Sequence, residues 1–123
     1  MILLPLAIVV ILGTSCGPAD LSNEIKLDLT EFTIGGTDSL LAAGAIEVTG
    51  RNLGELPHTL AISTVDGEVI TGSDVIAVGE SGIVSVTLSP GEYEFTCRIV
   101  AEFEGELVDH YELGMVETVT VVG

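Results

Sequence analysis

Short runs in which apolar and polar residues alternate, each stopped by a turn cluster, limit what this chain can become more than any other feature. In residues 83–88, Val84, Val86 and Leu88 are set against Ile83, Ser85 and Thr87, the two-residue period of a strand with one buried face. Ile25, Leu27 and Leu29 alternate with Lys26 and Asp28 in the same way, and residues 45–50 repeat the pattern. Breakers stand between the runs: residues 35–39, Asp66 with Gly67, Ser73 with Asp74, residues 79–82, and Ser89, Pro90 and Gly91, all of them turn formers. No segment sustains a 3.6-residue apolar period, so no helix has a face to bury. Short strands divided by frequent turns predict an all-β antiparallel sandwich or barrel of about seven strands.

The individual segments carry further expectations. Residues 24–34 read as one half-buried strand with a bulge where Phe32 and Ile34 shift the phase. Residues 40–43 read as a connector, residues 59–64 as a strand, and residues 116–122 as the closing strand. Tyr93, Phe95 and Cys97 fall on one face of the strand after Pro90 and Gly91.

With 123 residues there is room for one domain. Three Phe, two Tyr and no Trp leave the core to Val, Ile and Leu, which favour strands. Three basic residues (Lys26, Arg51, Arg98) against nineteen acidic ones give a net charge of −16. That balance excludes nucleic acid as a partner, since phosphate contacts need clustered cations. It also repels anionic lipid and steers cationic proteins inward. Acidity as a solubility adaptation to a saline habitat stands beside partner steering as a second explanation.

Residues 2–13 form an uninterrupted apolar run of signal-peptide length, followed by Thr14, Ser15 and Cys16. Small residues before a cysteine resemble a lipoprotein signal, in which cleavage leaves Cys16 as an acylated N-terminus. Residues 1–16 are read as this signal, residues 17–24 as a tether and residues 25–123 as the domain. Plain secretion and an uncleaved leader anchor are the other readings, and all three place the domain outside the cytoplasm, in the periplasm or on the outer side of the membrane. An oxidising compartment pairs cysteines, so Cys97 is either bonded to Cys16, an inert buried thiol, or a metal ligand.

Cys97, His110 and Met115 close the chain, and His58 lies upstream. Thiolate, imidazole and thioether are soft donors that suit copper better than magnesium or calcium. Each residue also has a plainer reading: loop packing for His58, a solvated position for His110, core filling for Met115.

Three segments together resemble the cupredoxins, the plastocyanin and azurin family: residues 52–60 (NLGELPHTL), residues 90–97 (PGEYEFTC) and residues 110–116 (HYELGMV). The likeness spans about residues 25–123 in the family's order. It implies a Greek-key β-sandwich of about seven to eight strands with one type 1 copper ion near one end. His58 and His110 would supply imidazoles, Cys97 the equatorial thiolate and Met115 the axial thioether. Asn52 would brace the ligand loops. The function implied is single-electron transfer by a monomer to a redox partner with a basic docking surface, with His110 as the exposed exit ligand and Leu56, Pro57 and Leu113 as the docking patch.

The chain departs from the family between Cys97 and His110, where twelve residues stand in place of a short loop. We expect residues 98–109 to fold as a hairpin around Glu104, Gly105 and Glu106, so that its two ends remain neighbours. If the segment instead opens the site, the domain becomes a metal-free interaction module with this hairpin as its contact surface. Copper storage or delivery is a further alternative. Glu102, Glu104, Glu106 and Asp109 form an acidic edge on the insert.

Beyond the leader, no G-x-S-x-G elbow and no glycine-rich phosphate loop occurs. The carboxylates are spread as solvated faces are, and a filled coordination sphere leaves no open position for substrate. The chain is therefore read as a carrier and not as an enzyme.

Overall fold

The computed structural model describes residues 23–36 and 40–123. The apolar leader, Cys16 and nearly all of the proposed tether lie outside the described residues, as do Thr37, Asp38 and Ser39 of the first turn cluster.

Eleven strands form among the described residues: β1 (Glu24–Thr30), β2 (Thr33–Gly35), β3 (Leu40–Ala42), β4 (Gly44–Asn52), β5 (Ala61–Thr64), β6 (Val69–Gly72), β7 (Ser81–Leu88), β8 (Gly91–Thr96), β9 (Val100–Phe103), β10 (Glu106–Asp109) and β11 (Val116–Val122). One sheet has the order β2-β1-β4-β7 and the other β3-β11-β8-β5-β6, while β9 and β10 pair only with each other. Most pairs are antiparallel, but β1 runs parallel to β4 and β3 parallel to β11.

Alternation becomes burial. Ile25, Leu27 and Leu29 of β1 face inward between exposed or half-buried neighbours, and Val84 and Leu88 do the same on β7. Leu27, Leu29, Val48 and Val84 from the first sheet join Ile62, Phe95, Val119 and Val121 from the second in one apolar cluster. The result is the expected all-β sandwich. The strand count exceeds seven to eight because two strands of three residues and the hairpin β9–β10 add to the main set.

Two local expectations change. The phase shift near Phe32 is a chain reversal, with Thr30 paired to Thr33 and Leu29 to Ile34, and not a bulge. Residues 40–42 are a strand, held by parallel pairing of Leu40, Leu41 and Ala42 with Thr120, Val121 and Val122.

Register sets the position of the site. Thr96 pairs with Ala61 on one side and with Val116 on the other. One step beyond these three, Leu60, Cys97 and Met115 leave the sheet at the same end. The segments that follow or precede them, residues 53–60, 97–99 and 110–115, therefore gather over that end.

Candidate metal centre

His58 is fixed by its own backbone. Its N–H donates to the carbonyl of Ile76 (3.2 Å) and its carbonyl accepts from Ile76 N–H (2.7 Å), an isolated bridge between two loops. The approach to it is braced by Asn52, which is 1% exposed. The Asn52 amide donates to the carbonyls of Leu56 (2.8 Å) and Ile76 (3.0 Å) and its oxygen accepts from Gly54 N–H (3.0 Å). One buried side chain thus ties both loops to the end of β4, the bracing role expected of it.

Cys97 and His110 sit at the two feet of the β9–β10 hairpin. The His110 N–H donates to the Ile99 carbonyl (3.0 Å), so the hairpin closes at its base. A tight turn follows, in which Met115 N–H donates to the His110 carbonyl (3.0 Å) and Cys97 N–H to the Met115 carbonyl (3.1 Å). Gly114 makes this turn with φ +125, and a Cβ there would stand 3.0 Å from the Phe32 carbonyl oxygen. Any other residue would meet both backbone strain and a clash.

These feet bring the donors together. The Cys97 sulfur lies 3.5 Å from His110 Nδ1 and 3.9 Å from His58 Nδ1, and the three donor atoms all lie within 4.8 Å of one another. All three residues are buried. Met115, the fourth expected ligand, is also fully buried, as part of the apolar cluster.

The spacing fits a metal ion. A nitrogen about 2.0 Å and a sulfur about 2.3 Å from a shared ion, at near-trigonal or tetrahedral angles, stand about 3.5–3.7 Å apart. The His110 pair, at 3.5 Å, falls in that range and the His58 pair, at 3.9 Å, just above it. Two imidazoles with one thiolate, beside a methionine, are the donor set that copper takes in trigonal sites with a weak axial sulfur. Thr59 N–H points at the same sulfur from 3.3 Å. Such donors spread the charge of a thiolate and tune the metal behind it.

Glu31 is a site residue that sequence reasoning missed. It stands at the β1–β2 turn, and its Oε1 accepts from the backbone N–H of Glu55 (2.8 Å) and Leu56 (2.6 Å). The same oxygen lies 3.3 Å from His58 Nε2, although off line, since that buried nitrogen has no aligned hydrogen-bond partner. Gly54 admits the carboxylate: a Cβ there would fall 2.6 Å from Oε1. Burial acts to raise the Glu31 pKa, but the N–H groups of Leu56, Glu55 and its own backbone, together with His58, bring it below its ordinary value. Both imidazoles are held below theirs, chiefly by burial, with Glu31 opposing in each case. The rings are therefore neutral and free to offer a lone pair. No local signal marks Glu31 among nineteen acidic residues; only the chain reversal brings it to His58.

No protein-family model matches the sequence, and no curated protein matches it. Solved structures do. Reduced auracyanin from Roseiflexus castenholzii superposes with a TM-score of 0.67 over 85% of this chain and 100% of its own, at 20% identity. The fold is that of the cupredoxins. A purple cupredoxin from Nitrosopumilus maritimus gives a TM-score of 0.54 over 80% of this chain and 99% of its own, at 19% identity. Amicyanin from Paracoccus versutus gives 0.51 over 88% and 87%, at 14% identity. At these identities the likeness is one of fold, and the ligand positions rest on the distances above.

Within this cupredoxin fold one expectation fails. His110 is 2% exposed and not a surface exit ligand. The β9–β10 hairpin stands over it: Ile99, Ala101, Phe103 and Val108, with Leu56 and Pro57, line a cleft of about 150 Å³ that reaches His110. Phe32 covers the ring from another side, 5.1 Å between centroids. Arg98 stacks on Tyr111, 3.9 Å from the ring centroid, and the Tyr111 hydroxyl donates to Glu94 (3.3 Å), so the hairpin foot is fastened to β8.

Proposed function

We propose that this protein is an exported type 1 copper protein that carries single electrons. The observation that carries this reading is the buried trio of His58 Nδ1, Cys97 Sγ and His110 Nδ1 within 4.8 Å at one end of the sandwich. Copper there would supply reversible one-electron exchange between Cu(II) and Cu(I). The chain's own residues do the rest. His58, Cys97 and His110 would hold the ion, with Met115 as a further, thioether donor. Asn52 and the Ile99–His110 hydrogen bond keep the donors in place before metal arrives, so little has to move when the charge changes. Phe32, Leu56 and the hairpin exclude water. Thr59 N–H donates to the sulfur, where negative charge is densest. The redox partner is a protein with a basic docking surface, matched to the net charge of −16.

Titrating the full chain with Cu(II) tests the centre. An intense visible thiolate-to-copper absorption saturating at one equivalent is expected, and Cys97→Ser should abolish it. A folded, colourless protein, or an unchanged spectrum in the Cys97→Ser variant, overturns the assignment.

Export rests on the sequence of the leader. No helix among the described residues is long and apolar enough to cross a membrane, so attachment would come from the segment ending at Cys16. In a bacterial host, Cys16→Ser should move the protein from the membrane fraction to the soluble one. Unchanged partitioning would sink the lipid anchor.

A further inference from the structure

The β9–β10 hairpin belongs to neither sheet, yet Cys97 and His110 stand at its two feet, closed by the His110 N–H to Ile99 carbonyl bond. It covers the ligand that a partner would otherwise reach, and it offers another surface in exchange. Val100, Leu107 and, beside them, Leu113 are exposed by 52%, 78% and 53%. Exposed apolar residues scattered singly are ordinary. Here three gather on the face turned away from His110, where Val100, Leu107 and Leu113 share a shallow hollow with Glu106, Asp109 and Glu112. Glu102 and Glu104 complete an acidic border. An apolar centre with a charged border is the anatomy of a protein contact.

We propose that the outer surface of this hairpin, with Leu113, is the docking surface for a redox protein whose own contact patch is apolar and ringed by lysine and arginine. The redox character of that partner rests on the copper reading above; the location does not. Charge selects the occupant. A second copy of this chain brings another net charge of −16, and an anionic membrane is repelled for the same reason. Position favours it as well. Val100 is three residues from Cys97, and Ile99 is hydrogen-bonded to His110, so a partner seated there meets both ligands through a few bonds. The hairpin replaces direct access to His110 with access through its own backbone.

The test uses the full chain, isotope-labelled, metal-free and held in a neutral detergent, with reduced lysine-rich cytochrome c as the probe. Amide shift changes should gather at residues 100–109 and 112–113 at low salt. They should vanish at about 1 M salt, where screening acts within about 3 Å. Leu107→Ala with Leu113→Ala should weaken binding about tenfold. Glu102→Gln, Glu104→Gln and Glu106→Gln together should weaken it about tenfold as well. The matched triple Glu47→Gln, Asp66→Asn and Glu92→Gln, away from the hairpin, should weaken it about twofold at most. Equal weakening by the two triples, shifts centred instead on Leu53, Val75 and Val78, which are exposed apolar residues outside the hairpin, concentration-dependent shifts without cytochrome, or no binding at low salt would each overturn the proposal. Because no copper is present, a colourless copper titration sinks the metal reading alone, and a diffuse shift map sinks the docking surface alone.

Discussion

Glu31, His58 and His110 meet at the centre, and their pKa values are displaced the same way. Glu31 is held below its ordinary 4.5, and His58 and His110 below 6.5. In each case the unfolded chain takes up its proton at a higher pH than the folded one, so protonation favours unfolding. For the metal-free protein the contribution of the two histidines is complete above about 6.5 and is lost as pH falls through their lowered values. That of Glu31 is complete above about 4.5 and is lost below it. Denaturant melts from about pH 8 down to about pH 3 should show stability falling in two stages, the histidine stage first. A flat profile between about pH 8 and pH 5 would mean that neutral imidazoles are not required for packing. The same residues show what was legible in advance. His58, Cys97, His110 and Met115 announce themselves because their side-chain chemistry is rare in this chain, which has two histidines and two methionines. Glu31 is one acid among many, and its meaning arises only when the β1–β2 reversal delivers it to Glu55 and Leu56.

At the level of elements, local pattern was readable where strands were long. β7, with eight residues, shows its alternation outright. β3 has three residues, too few to display a period, and exists because β11, some eighty positions later, offers it a parallel edge. Such partners leave no trace in a local window. The hairpin β9–β10 was foreseen because Glu104 and Gly105 form a turn between two apolar arms. Its lean over His110 was not, since cover depends on the facing Leu56 and Pro57. Val100 and Asp109 are direct partners, so a two-glycine turn joining them would remove the rest of the hairpin without taking a strand from either sheet. Two-residue turns suit that connection. The shortened protein should unfold within about 1 kcal/mol of the parent, and in metal-free form Cys97 should react faster with a thiol reagent. Slower or unchanged labelling would show that the hairpin is no cover.

Across the whole molecule, charge and order of assembly both matter. Of the three cations, Arg51 is bonded to Asp28 through Nε (2.9 Å) and Nη2 (2.6 Å), and Arg98 lies on Tyr111. Little positive surface is left to temper a net charge of −16, so the field outside the protein is negative on nearly every side. The five-stranded sheet carries a different consequence. β11, the last strand of the chain, lies inside that sheet between β3 and β8. A nascent chain that has emerged only as far as β10 therefore holds β3 without a partner and β8 with an open edge. The domain cannot close until translation has passed Val122. The donor cluster, whose members His110 and Met115 also come late in the chain, cannot be complete before then.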